Sequence, residues 1–117
     1  MNPLPQKMLC RESQPLLRVW MAERWWPRAR GLLGRSPLQA DEGFALTPCS
    51  SVHGIGMAYT VDLLFLDRAD AILRVCALTP LGFRMCRGAW RTIECASGSV
   101  VRYNFATGQQ LHWGDIP

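Results

Sequence analysis

Four side chains carry the chemistry of a polar site: His53, Asp62, Arg84 and Glu94. An imidazole that titrates near neutrality, two carboxyls and a guanidinium can exchange a proton or hold an anion. His53 lies in Val52-His53-Gly54-Ile55-Gly56-Met57, just before the apolar run Val61-Asp62-Leu63-Leu64-Phe65-Leu66. Asp62 interrupts that run, so its carboxylate must be exposed, paired or functional. In Arg91-Thr92-Ile93-Glu94-Cys95, Glu94 shares one strand face with Thr92, while Ile93 and Cys95 share the other. Arg84 clusters with Arg87 and Arg91, a group suited to a carboxylate or phosphate.

Each of these residues has a plain structural alternative. His53 can bond the backbone of a nearby loop, Asp62 can pair with a buried arginine, and Glu94 can face solvent. The arginines can form an ion-pair network with Asp62, Glu94 or Asp70. Distance also constrains the set. Nine extended residues separate His53 from Asp62 by about 30 Å, so the two meet only if Gly54 and Gly56 turn the chain back. Convergence of His53 with Asp62 is the sharpest expectation. Met57, on the same face as His53, is either a soft donor for a copper-type ion or a core filler. No metal is expected, His53 and Met57 being weak candidates. Cys49, four residues before His53, offers a Cys/His pair that nothing else supports. Phosphate-binding loops, dinucleotide fingerprints, nucleophile elbows and zinc-protease histidine pairs are absent from the sequence. No cofactor is expected.

The elements that must position these residues read mostly as strands. Residues 1–15 hold three prolines and read as a loose N-terminal arm, with a short strand at 7–10. Residues 16–117 read as a single β-rich domain. Strands are expected at 16–21, 44–46, 59–66, 71–76, 88–96 and 110–113. Val61, Leu63 and Phe65 fall on one face of the strongest of them, and Asp62, Leu64 and Leu66 on the other. Asp67-Arg68-Ala69-Asp70 then turns the chain into a hairpin. Pro27 suits a first helical turn and Gly34 a helix end, giving one short helix at 25–33. A further helical turn, capped by Ser97 or Ser99, follows the 88–96 strand. The fold class is mainly β, a β-rich α+β chain forming a compact sandwich or small barrel. Doubly wound α/β folds are excluded, because the helices they need between strands are missing.

Composition is that of a globular domain: 117 residues, 49% hydrophobic and 19% charged. No apolar run approaches the ~20 residues of a membrane span. The first residues lack the charged and apolar regions of a secretory signal. Five cysteines, an odd number with no C-x-x-C, fit reduced thiols rather than a disulfide framework or structural zinc. A cytoplasmic location follows. The net charge of +4 is concentrated in residues 1–35, where seven arginines and lysines face two glutamates. Such an end fits an acidic partner, nucleic acid or anionic lipid, or simply a solvated face. Trp25-Trp26 beside arginines could stack on single-stranded nucleic acid, though adjacent tryptophans more often cover a core edge.

Several segments, in this order and spacing, carry a resemblance. They are Arg28-Ala29-Arg30-Gly31-Leu32-Leu33-Gly34-Arg35, Gly43-Phe44-Ala45-Leu46, Val52-His53 with Gly56-Met57, Val61 through Asp67, and Ala89 to Glu94 with Gly98, ending at Gly108. Over residues 16–113 the chain resembles the uncharacterised bacterial and archaeal family called domain of unknown function 192. The resemblance implies a compact, mostly β fold of sandwich type with a helix near its start. It brings no established activity. Two positions depart from the family pattern. Gly54 stands where the family usually has Thr, which removes a hydroxyl donor and acceptor from the site. Thr60 stands where the family often has Pro.

Three functions fit these observations. The first is a small binding domain with a concave polar site, lined by His53, Asp62, Arg84 and Glu94, for a small anionic or sugar-like ligand. The second is a metal-dependent or acid/base hydrolytic enzyme using His53 with Asp62 or Glu94. The third is an interaction module docking through its basic N-terminal part. Tight nucleic-acid binding and a membrane partner are not expected.

Overall fold

A strand with no exposed residue organises the molecule. The computed structural model describes residues 4–23 and 37–117. Within them the strands are β1 (Gln6–Arg11), β2 (Gln14–Ala22), β3 (Glu42–Leu46), β4 (Ser51–His53), β5 (Val61–Leu66), β6 (Ile72–Leu78), β7 (Phe83–Met85), β8 (Arg91–Ala96) and β9 (His112–Gly114). One short helix, α1 (Ser99–Arg102), follows β8. Seven strands form a sheet in the order β6-β5-β8-β3-β2-β1-β9, and β4 pairs with β7 in a separate two-stranded sheet. The large sheet runs from edge to edge without closing, so the expected small barrel is not formed. The radius of gyration is 12.8 Å, against about 13 Å for a compact chain of this length. No helix among the described residues is long and apolar enough to cross a membrane.

All six residues of β5 are buried. Alternation alone suits a strand with one wet face. Here both faces are covered, and β6 and β8 satisfy both backbone edges. The hairpin to β6 forms as the sequence implies, with Val61 opposite Leu78 and Leu64 opposite Val75. Asp67 fixes its turn, its Oδ1 accepting the N–H groups of Ala69 and Ala71 at 2.9 and 3.0 Å. That is the Asx geometry that makes aspartate a turn former.

Two short strands, β4 and β7, depart from the sequence reading, and β1 extends it. The short strand expected at 7–10 in the arm forms as β1 over Gln6–Arg11, held between β2 and β9. Leu9 at its centre is fully buried. Its hairpin with β2 was masked by Pro15, which lacks a ladder N–H. Pro15 faces Cys10 where the register slips between Leu9 and Cys10, the kind of irregularity at which a strand tolerates proline. β4 and β7, three residues each, lie in stretches expected as site loop and plain loop. Strands that short carry no readable period. The helix expected over residues 25–33 lies outside the described residues. β2 and β3 are parallel.

The large sheet buries apolar side chains on both faces. On one face, Leu64 and Leu66 of β5, Ile93 and Cys95 of β8 and Val19 of β2 pack under Phe105 and Leu111. On the other, Val61, Leu63 and Phe65 pack with Phe44 and Leu46 of β3, and Val52 of β4 closes over them with Met57 and Tyr59. The small sheet thus covers the second face. Phe65 is fully buried there. Phe65→Ala should destabilise the protein by about 3–5 kcal/mol through lost transfer energy and a residual cavity. Chemical denaturation of the two proteins measures the difference, and an unchanged midpoint would remove Phe65 from the core.

Candidate functional site

Glu94 sits where a charge is hardest to keep. It lies on β8, opposite Phe44 of β3 on one side and Leu63 of β5 on the other. Side chains directly opposite one another in antiparallel strands share a face, so the carboxyl emerges between a phenyl ring and an isobutyl group. Only 3% of the residue is exposed, and its Oε2 has no hydrogen-bond partner. Burial pushes its pKa up from the ordinary 4.5 to about 7, because a charge loses its hydration there. A carboxylic acid poised near neutrality can donate a hydrogen bond at one pH and accept one at a slightly higher pH. Its strand neighbour on the same face, Thr92, is also buried, but is satisfied: its Oγ1 donates to the Cys49 carbonyl at 2.9 Å.

The other sequence candidates are dispersed. Asp62 is on the opposite face of the sheet, opposite Cys95 of β8. Its Oδ2 accepts the N–H of Gly98 at 3.1 Å and of Val100 at 2.9 Å. Those donors belong to the turn that opens α1, where a helix start leaves N–H groups without partners. Asp62 therefore supplies the cap that Ser97 or Ser99 was expected to give, and it does so from a strand 36 residues away in sequence from the Gly98 donor. The expected partner, a buried arginine, is replaced by backbone.

His53 is exposed on β4, opposite Phe83 of β7, while its neighbour Val52 faces the core. The structure does not bring His53 and Asp62 together. One is on the outside of the small sheet, the other on the far face of the large sheet. Gly54 and Gly56 do turn the chain, with the Met57 N–H reaching the Gly54 carbonyl at 3.0 Å. The turn is bonded to the 79–82 loop, through the Gly54 N–H to the Gly82 carbonyl and the Leu81 N–H to the Gly54 carbonyl, and does not fold His53 onto Asp62. Met57 packs into the core as a filler. Cys49 directs its thiol to the Ser51 carbonyl at 3.2 Å, not to His53. Among the described residues no three or more His, Cys, Asp or Glu side chains gather in a way that could hold a metal ion.

Arg84 is half-buried on β7 opposite Val52, with one Nη1 donor on the Phe83 carbonyl at 3.0 Å. Of the arginine cluster, Arg91 makes the ion pair anticipated with Asp70, at 2.5 Å, and its Nε also donates to Thr47 Oγ1 at 2.9 Å. Its guanidinium lies 5.0 Å from the centre of the Trp113 ring. That is a structural brace between β8 and the 67–70 turn.

One further titratable group on β8 is buried, a cysteine whose strand-like run suits a small core hydrophobe. Cys95 is fully buried, and its thiol pKa is pushed up to about 12 by burial first and then by the Asp62 carboxylate. The nearby Ser99 hydroxyl draws it back, though Ser99 Oγ is buried without a partner of hydrogen-bond geometry. The thiol is inert at neutral pH.

The family called domain of unknown function 192, described as "Uncharacterized ACR", matches residues 8–113. The chain belongs to this family. Two solved structures share the fold of this domain of unknown function 192 protein. One is a protein of unknown function from Novosphingobium aromaticivorans, 17% identical, with a TM-score of 0.79 over 92% of this chain and 84% of that one. The other is a putative transcription regulator from Sinorhizobium meliloti, 18% identical, with a TM-score of 0.84 over 97% of both chains. No curated protein matches the chain.

Two consequences can be measured. The unfolded chain ionises Glu94 near pH 4.5, whereas the folded chain holds its proton to about pH 7. Between those values the unfolded state binds fewer protons, so this group makes stability fall as pH rises, by about 3 kcal/mol in all. Below pH 4.5 both states are protonated and the effect is absent. Glu94→Gln should abolish that slope, so its stability relative to the parent improves between pH 4.5 and 7.5 in denaturant titrations. A parallel pair of pH profiles would show that Glu94 ionises normally. The second consequence lies at Gly54. A Cβ there would stand 2.2 Å from the Thr79 carbonyl oxygen. Gly54→Thr should therefore cost about 1–3 kcal/mol by overpacking. Thermal unfolding at equal or higher midpoint would mean the 79–82 loop moves away freely.

Proposed function

We propose that this protein is a small binding domain whose ligand contacts Glu94 on the sheet face that carries Phe44 and Leu63. The observation that carries this reading is Oε2 of Glu94, buried and without a partner. An unmade hydrogen bond at such a place costs roughly 1–3 kcal/mol, and a bound molecule that completes it recovers that cost. A neutral carboxyl donates to the oxygen of a small anion or a sugar-like ligand and accepts from a hydroxyl. Arg84, on the strand beside Val52, keeps guanidinium donors that suit the anionic class. The packing of the small sheet over this face is sandwich-like, and access would come at its edge. Asp62 leaves the ligand set, since its outer oxygen is already engaged by two backbone donors. His53 can serve only at the outer rim.

The hydrolytic alternative draws on the same carboxyl, because an acid with a pKa near 7 suits general acid catalysis. It has less support, since neither His53 nor Asp62 shares a face with Glu94. The likeness to a protein titled putative transcription regulator is a likeness of fold, and residues 24–35, with four of the thirteen arginines and lysines, lie outside the described residues. A cytoplasmic location is the companion reading, in keeping with five free thiols.

Thermal shift assays test the proposal with a panel of small carboxylates, inorganic phosphate and monosaccharides. At about 100 times its Kd a ligand adds about 2.7 kcal/mol of stability. At least one member should raise the midpoint of the parent, less so above pH 7 as Glu94 ionises, and Glu94→Leu should lose the shift. An unresponsive panel, or equal shifts in Glu94→Leu, would reject a Glu94 ligand site.

A further inference from the structure

The small sheet ends in an apolar tip that the ligand site does not use. Ile55 is 61% exposed, Leu81 80%, Phe83 56% and Met85 53%. They lie together because the two turns that carry them are tied by backbone bonds. The Gly54 N–H donates to the Gly82 carbonyl at 2.8 Å, and the Leu81 N–H donates to the Gly54 carbonyl at 3.1 Å. Phe83 and Met85 alternate on β7, opposite His53 and Ser51, so they share the outer face of the small sheet. Exposed apolar side chains scattered singly need no explanation, but a contiguous set does.

Charge says what covers it. Residues 48–60 and 71–90 contain no aspartate or glutamate and hold three arginines, Arg74, Arg84 and Arg87. Arg74 is tied to this strand, its Nη1 donating to the Met85 carbonyl at 2.6 Å. A second copy of the chain is disfavoured, since a two-fold contact would set these arginines against their equals. Four apolar side chains are far fewer than the ~20–30 residues a side that a stable protein interface engages. Exposed aliphatic and aromatic side chains in segments that carry arginines and no carboxylates instead match a negatively charged bilayer. The apolar groups enter the headgroup boundary while the arginines meet lipid phosphates. We propose that the β4–β7 tip docks peripherally on anionic lipid membranes through Ile55, Leu81, Phe83 and Met85, with Arg74 and Arg87 supplying the charge. No span is needed for such a contact.

Sedimentation of the full chain with phosphatidylcholine vesicles, with and without phosphatidylserine, tests this. The protein should partition onto the phosphatidylserine vesicles, and high salt should release it. Leu81→Ser with Phe83→Ser should lower partitioning at least about tenfold, from apolar area no longer buried. Arg74→Gln with Arg87→Gln should lower it by roughly fivefold per arginine. Val101→Ser, which removes an exposed apolar side chain elsewhere, should leave it unchanged. Hydrogen exchange on the parent is a second measure independent of the variants, and vesicles should protect residues 54–57 and 79–85. Absence of binding to phosphatidylserine vesicles would overturn the proposal. So would undiminished binding of folded Leu81→Ser/Phe83→Ser, which would place the contact at the basic N-terminal part, or vesicle protection confined to other segments.

Discussion

Burial of β5 on both faces is the constraint from which the rest of the structure follows. A strand with no exposed residue needs strands on both edges and a cover on both sides. β6 and β8 meet the first need. Residues 100–111 cover one face and the small sheet with its neighbouring loop covers the other. Any polar group on β5 or on the adjoining β8 must then be satisfied from within the protein. Asp62 meets that condition at the cost of shaping a loop, since two backbone N–H groups close on it. Glu94, on the neighbouring strand and the opposite face, does not meet it. Two carboxyls with the same sequence signature thus have opposite roles, one a staple and one an open valence.

Sequence showed the face of each residue more reliably than what lies above that face. The β5 alternation and the 67–70 turn were legible because both are local: a period of two, and an aspartate whose side chain accepts the N–H groups two and four residues on. The same period placed Glu94 beside Thr92, and the structure agrees. What period two cannot state is whether a face is wet. That depends on β3 lying beside β8, and on Val52 and Met57 closing from a distant segment. The solvent-facing alternative for Glu94 therefore looked reasonable and is incorrect, and the expected meeting of His53 and Asp62 failed for the same reason. Gly54 and Gly56 permit a turn back towards Asp62, whereas pairing with Phe83 places His53 on a second sheet. Three-residue strands leave no pattern from which that sheet could be read.

Gly54 shows how one missing atom changes the geometry beyond its own position. The family pattern usually has Thr here, and the first consequence drawn from its absence is a lost hydroxyl. Sterics matter more. With the Thr79 carbonyl only 2.2 Å from where a Cβ would stand, a chain with Thr at this position cannot hold the 79–82 turn against β4 as this one does. The close approach is what permits the paired bonds between Gly54, Leu81 and Gly82. Those bonds in turn set Leu81 beside Ile55 and fix where β7 begins. Removing a side chain from the floor of the turn thus gathers apolar side chains at its outside. The inner face of the small sheet then contributes to a closed core around an unpaired carboxyl, while the outer face presents exposed apolar groups among arginines. One two-stranded sheet separates the two environments, so a change at Gly54 acts on both: it loosens the cover over Glu94 and disperses the tip in the same movement.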